Sequence, residues 1–277
     1  MHDYKILAHR GASAYAPENT MPAFELAIEK HADGFEIDIT FTRDSEIVVI
    51  HDDSIDRTSN GKGRVSLYTL SELKGFNFNR GFEETYPDAP IPTLSEVLEL
   101  VKRHSLILNI EVKNLFGSGF DNSELALTAA QLVKQYDMAE NVIFSSFNHH
   151  SMVMLKTAFP EMKTALLYFE NLYKAGQYAL TANAAALHPL FISVNADMVQ
   201  EAHEANIMVT PYTVNDPEIM RIFKKIGVDG IITDNPDVCY RVRTTETASD
   251  NSDSQVLESI AQRYLQQVAD HMRQLNI

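Results

Sequence analysis

Apolar and polar positions follow two rhythms along this chain. Short apolar runs recur at 4–9, 34–40, 106–113, 142–147, 164–168, 184–189, 207–214 and 230–234. Between most of them, apolar residues return every three or four positions, at 21–30, 94–103, 124–136, 150–158, 196–204 and 218–225. The first rhythm predicts strands and the second amphipathic helices. Strands alternating with helices build βαβ units and hence a parallel sheet. Eight such strands fit a closed (β/α)8 TIM barrel of the α/β class, which commonly spans about 250 residues.

One run breaks the alternation. Residues 47–50 follow the second strand after only Arg43-Asp44-Ser45-Glu46. A parallel crossover needs roughly a dozen residues, so this link is a hairpin and the run is expected to pair antiparallel at the rim. Residues 54–90 then carry turn signals at Asn60-Gly61 and Gly63, a short helix at 70–74, and the aromatics Phe76, Phe78, Phe82 and Tyr86. They predict a small inserted subdomain over one end of the barrel, and loops this long usually serve function. Residues 244–254 are polar and read as a linker. After them Val256, Leu257, Ile260, Tyr264, Leu265 and Val268 recur at helical spacing. The expected organisation is a barrel over 1–243, with 54–90 inserted, a linker at 244–254 and an amphipathic helix at 255–277. The apolar face of that helix must pack on its own barrel or on a second subunit, as a homodimer.

Composition narrows the function. Lys and Arg number 23 against 38 Asp and Glu, a formal charge of −15. That surface repels nucleic acid and anionic lipid at long range, so a phosphate-bearing ligand needs local cations or a metal. The single cysteine, Cys239, makes no internal disulfide and no cysteine-built zinc site. Neither a secretory leader nor an apolar run of roughly 18 residues is visible, which predicts a cytoplasmic protein without stable membrane anchoring.

The chemistry gathers where barrel strands end, the face on which barrel active sites form. His9-Arg10-Gly11 closes the first strand. Glu36 and Asp38, two apart on the second, share one face, with Phe35, Ile37 and Ile39 on the other. Two inward carboxylates repel unless neutralised, and a divalent cation does that. Glu111 on the third strand can complete an oxygen ligand set that favours Mg²⁺, Ca²⁺ or Mn²⁺ over zinc. Lys113 shares its face and can meet an anion. His51-Asp52 ends the rim hairpin. A metal, two cations (Arg10 and Lys113) and two proton carriers (His9 and His51) are the parts needed to cleave a phosphate diester. His188 and Tyr212, at the ends of the sixth and seventh strands, are expected to line the substrate pocket, with packing as the alternative.

Seven segments in order carry a family resemblance. They are His9-Arg10-Gly11-Ala12, Pro17-Glu18-Asn19-Thr20, Phe35-Glu36-Ile37-Asp38, Val49-Ile50-His51-Asp52, Asp56-Arg57-Thr58, Ile110-Glu111-Val112-Lys113 and Gly230-Ile231-Ile232-Thr233-Asp234-Asn235-Pro236. Together they resemble the glycerophosphodiester phosphodiesterase family. The resemblance implies a TIM barrel with a small insertion and a metal at Glu36, Asp38 and Glu111. It implies catalytic histidines at His9 and His51, and phosphate contacts at Arg10 and Lys113. The implied reaction is hydrolysis of a glycerophosphodiester to glycerol 3-phosphate and an alcohol. The alternatives are a lysophospholipase D-type activity on lysophospholipids and a non-catalytic phosphate-binding barrel. Many relatives carry a tryptophan in the segment that reads Pro211-Tyr212-Thr213-Val214-Asn215 here, and this chain has none.

Overall fold

The computed structural model describes residues 4–113 and 123–245, with Ser259, Gln262 and Gln266. Residues 114–122 and nearly all of the expected linker and helix over 244–277 lie outside the described residues. In chain order the elements are β1 (Lys5–His9), α1 (Met21–Glu29), β2 (Gly34–Phe41), β3 (Ile47–Val49), α2 (Leu70–Leu73), α3 (Leu94–His104), β4 (Ile107–Val112), α4 (Ser123–Gln135), β5 (Val142–Ser146), α5 (His149–Ala158), β6 (Lys163–Tyr168), α6 (Ala175–Thr181), β7 (Ala186–Pro189), α7 (Ala196–Glu204), β8 (Met208–Val209), α8 (Pro217–Ile226), β9 (Gly230–Thr233) and α9 (Pro236–Thr244).

Eight parallel strands stand in the order β8-β7-β6-β5-β4-β2-β1-β9. The two ends of that order meet. The N–H of Asp229 donates to Val209 O at 2.9 Å, that of Ile232 to Pro211 O at 3.0 Å, and that of Val214 to Ile232 O at 2.9 Å. The sheet thereby curls into a nearly closed barrel with helices around it. β8 is two residues long where 207–214 predicts eight. Pro211 has no N–H to give the ladder, so the run cannot continue as a regular strand.

Alternation assigns the faces. Phe35, Ile37 and Ile39 of β2, and Leu108, Ile110 and Val112 of β4, join the buried apolar residues of the helices in the main core. Glu36, Asp38, Asn109 and Glu111 therefore turn to the barrel interior. There Ile143, Ala165 and Ala186 form a small cluster of their own. After His9 the chain must reverse tightly. Gly11 sits at φ +82° with Ala23 so close that a Cβ would fall 2.7 Å from its backbone, so only glycine lets α1 back onto the site.

The rim hairpin forms as its spacing requires. β3 runs antiparallel to β2, pairing Ile39 with Val49 and Phe41 with Ile47. The insertion has a second core, in which Ile55, Val65, Leu73 and Phe78 pack with Val48, Ile50 and Ile91. Two helices have no counterpart in the periodicity. α6 follows Lys174 in the left-handed region without a side-chain cap, and α9 starts at Pro236, also uncapped. Neither carries the start signal that Thr93 and Glu96 give α3 as a capping box. Among the described residues no helix is long and apolar enough to cross a membrane.

Candidate active site

Parallel register brings the inward carboxylates together. Asp38 lies level with Glu111 across β2 and β4, with Glu36 two residues earlier on the same face. One carboxylate oxygen from each of Glu36, Asp38 and Glu111 lies within 4.8 Å of the others. Buried Glu36 Oε1 and Asp38 Oδ1 accept no hydrogen bond from the described residues. Closely spaced carboxylate oxygens of this kind, with lone pairs to spare, fit a hard divalent cation.

The cations stand around them. Lys113 Nζ donates to Glu111 Oε1 at 2.7 Å and lies 3.1 Å from Asp38 Oδ1. Arg10 Nε lies 3.5 Å from Asp38 Oδ2, and its Nη1 donates to Glu18 Oε1 at 2.9 Å. Arg10 itself has left-handed backbone (φ 56°), from which its N–H donates to Glu36 O at 2.8 Å. Asn19 Nδ2 gives Asp38 Oδ2 a 2.8 Å hydrogen bond. The three acids are shifted in opposite directions. Burial and the charges of Asp38 and Glu111 push Glu36 well above the ordinary carboxylate range. Burial and Asp38 likewise raise Glu111. For Asp38, burial is outweighed by Lys113 and Arg10, which hold it far below that range.

Each histidine has its own carboxylate. His9 Nδ1 donates to Asp234 Oδ1 at 2.7 Å, and its Nε2 stands 3.8 Å from Glu36 Oε2. Asp234 also accepts from Ser13 Oγ at 2.9 Å and Asn215 Nδ2 at 2.6 Å. Burial works against its charge, but these hydrogen bonds hold it below its usual range. An ionised Asp234 only accepts, so His9 carries its proton on Nδ1 and turns Nε2 to the acids. The N–H of Ile50 donates to Asp38 O at 2.9 Å and carries the hairpin ladder up to His51. His51 Nδ1 donates to Asp52 Oδ1 at 2.7 Å. Burial lowers the His51 pKa, with Asp38 pulling the other way. Asp52 is brought down to about 2, because hydrogen bonds from Arg57 and His51 overcome its burial.

The opposite half of the mouth is aromatic. Phe147, past β5, stacks on Phe169, past β6, with centroids 4.6 Å apart. Tyr212 meets Phe147 edge-on at 6.1 Å, and its hydroxyl donates to Tyr168 O at 3.2 Å. His188, on β7, is 1% exposed, and neither ring nitrogen has a hydrogen-bond partner among the described residues. Burial brings its pKa down to about 3, so the imidazole is neutral. It is not gathered with the charged groups.

Residue chemistry alone does not single out Asp234, Glu18, Asn19 or Arg57. Their only signal lies in the short motifs Thr233-Asp234-Asn235-Pro236, Pro17-Glu18-Asn19-Thr20 and Asp56-Arg57-Thr58.

Known proteins resemble this chain in sequence and in fold. The family model described as "Glycerophosphoryl diester phosphodiesterase family" matches residues 9–238. A glycerophosphodiester phosphodiesterase of Caldanaerobacter subterraneus subsp. tengcongensis is 39% identical over 234 residues, covering 84% of this chain and 94% of its own. One from Bacillus altitudinis is 36% identical over 242 residues, covering 86% and 98%. The structure of an Oleispira antarctica phosphodiesterase in complex with the product sn-glycerol-3-phosphate matches with a TM-score of 0.80 at 27% identity, over 87% of this chain and 97% of that one. Fold and charged mouth together define an α/β-barrel hydrolase. The chain belongs to the glycerophosphoryl diester phosphodiesterase family, and so to the phosphoric diester hydrolases.

Proposed function

We infer that this protein hydrolyses glycerophosphodiesters to glycerol 3-phosphate and an alcohol, with His9 and His51 as its proton carriers and a divalent cation as its cofactor. One observation carries the reading: three inward carboxylates with oxygens within 4.8 Å of one another, flanked by two histidines that each rest on an aspartate. The glycerophosphodiester phosphodiesterases among its relatives support the substrate class.

Glu36, Asp38 and Glu111 would hold the cation, and all-oxygen donors favour Mg²⁺ or Ca²⁺, with Mn²⁺ a third fit. Once bound it supplies charge against the phosphoryl oxygens. Arg10 and Lys113 bind the same phosphate. A diester carries one negative charge, so these two suffice. His9, with its proton fixed on Nδ1, takes a proton at Nε2 from the attacking oxygen. His51 gives one to the departing alcohol. Tyr212 and His188 belong to the substrate wall in this reading, with neutral His188 offering a single N–H. The proposal also places the enzyme in the cytoplasm without a stable membrane anchor. Association through 255–277 is a further part of it, and the mass in solution of a chain lacking those residues tests that part.

The deciding experiment is turnover of a glycerophosphodiester panel by metal-stripped protein, with Mg²⁺, Ca²⁺ and Mn²⁺ returned separately. Glycerol 3-phosphate should appear only after a cation is restored. Full turnover in excess chelator, with metal removal verified, would overturn the metal's role.

A further inference from the structure

Arg57 is not used by the mechanism above, yet it makes the densest set of charged contacts near the mouth. Its Nε donates to Asp52 Oδ2 at 2.7 Å and its Nη2 to Asp52 Oδ1 at 3.1 Å. The same guanidinium donates from Nη1 to Glu18 Oε2 at 2.6 Å and from Nη2 to Glu18 Oε1 at 2.8 Å. Asp52 is the carboxylate on which His51 rests, and Glu18 belongs to the loop after β1. One planar cation thus grips two carboxylates on different elements, a geometry that a guanidinium achieves and an ammonium does not.

The backbone that presents it is fixed from below. Ile55 is fully buried in the second core. Asp56 accepts from the Gly63 N–H at 2.6 Å, and its carbonyl accepts from Arg80 Nη1 at 2.6 Å. Ser59 Oγ donates back to Ile55 O at 2.7 Å. The guanidinium is therefore aimed by a packed scaffold rather than carried on a free loop.

We propose that Arg57 is a positioning residue: it locks Asp52 against the β1 loop through Glu18 and so fixes the orientation of the His51 imidazole. The inserted subdomain then serves as the scaffold of that guanidinium. This rests on the reading of His51 as a proton carrier, and the test separates the two.

Outer partners of catalytic groups typically contribute about 10- to 100-fold in activity. Arg57→Gln in the full chain should lower kcat on a glycerophosphodiester by that range with KM little changed. Arg57→Lys, which keeps the charge and one donor direction, should recover part of the loss. The decisive measurement is a double-mutant cycle with His51→Ala. If Arg57 acts through His51, adding Arg57→Gln to His51→Ala costs less than about twofold more, because the group it orients is gone. If the two losses multiply, or if Arg57→Gln acts mainly on KM, Arg57 works elsewhere, as a direct phosphate contact or as a fold element, and the inference fails. If His51→Ala alone keeps near-wild-type turnover, the underlying reading fails instead. Circular dichroism and Tm of each variant guard the comparison, and should Arg57→Gln not fold, the same cycle is run with Arg57→Lys.

Discussion

The mouth of the barrel has two unlike halves. From β9 through β1 and β2 to β4 it presents His9, Arg10, Glu36, Asp38, Glu111, Lys113 and Asp234, with His51 leaning in from the hairpin. From β5 to β8 it presents Phe147, Phe169 and Tyr212. In the first half nearly every polar group is aimed by another, as Asp234 aims His9 and Asn19 aims Asp38. In the second, contacts are rings on rings, which constrain shape far more than charge. A charged half of this kind fixes what reaction occurs. An apolar half is the wall on which selection among leaving alcohols can be tested.

The sharpest way to break that contrast is to remove the acids. Asp38→Ala and Glu111→Ala should reduce turnover to background and abolish cation binding by calorimetry. Asp38→Ala also leaves Lys113 and Arg10 facing each other without their shared counter-charge. Retained turnover in either variant would show that the three carboxylates do not act as one ligand set.

Next in size are the histidines. His9→Ala and His51→Ala should each lower kcat by roughly 10²–10⁴, the usual range for a general acid or base. Cation affinity should stay close to wild type. A nitrophenyl diester, whose leaving group departs unprotonated, should restore most of the rate to His51→Ala and little to His9→Ala. The reverse pattern would exchange the two roles.

Protonation gives a smaller effect within the charged half. Glu36 and Glu111 are raised in the folded chain, so their neutral forms are favoured where free carboxylates are already charged. A cation binds the charged forms. Binding should therefore release protons, and affinity should climb as pH rises through the raised values. Titration in buffers of different ionisation heat should show more protons released at about pH 5 than at about pH 8. Affinity that is already flat from about pH 6 upward would place those carboxyls in their ordinary range.

The mildest change belongs to the aromatic half. Phe169→Ala should shift KM by about two- to tenfold, the worth of one aromatic contact, with kcat nearly unchanged and the shift differing among leaving alcohols. A uniform fall in kcat would mean that this half takes part in the chemistry.

Much of this was legible in the sequence because strand alternation is a strict rule. Two carboxylates at i and i+2 must share a face, and apolar partners on the other side say which face is which. The hairpin was legible because four residues cannot span a parallel crossover. What periodicity misses is set by tertiary contact. Asp234 becomes the partner of His9 only when β9 lies beside β1, across 225 positions of sequence. Arg57 meets Glu18 only once the insertion has folded. α6 is invisible because it starts from a left-handed lysine without a cap. β8 was overread because its apolar pattern continues through Pro211, where the ladder cannot. The sequence sets Asp52 beside His51, but its link to Arg57 needs the folded insertion.

The pairing of β1 with β9 bears on how the molecule is made. A ribosome delivers the first strand early and the last one some two hundred residues later, and Lys5 to Ala8 must wait for Gly230 to Thr233 before their edge is covered. Contacts so distant in sequence are slow to form and leave an open strand edge in the meantime. The nascent chain therefore has the His9 imidazole long before the aspartate that sets its tautomer. That geometry arrives late, with the docking of the final strand, so chains cut short before residue 230 should accumulate as open sheets that carry Glu36, Asp38 and Glu111 yet lack a correctly oriented His9.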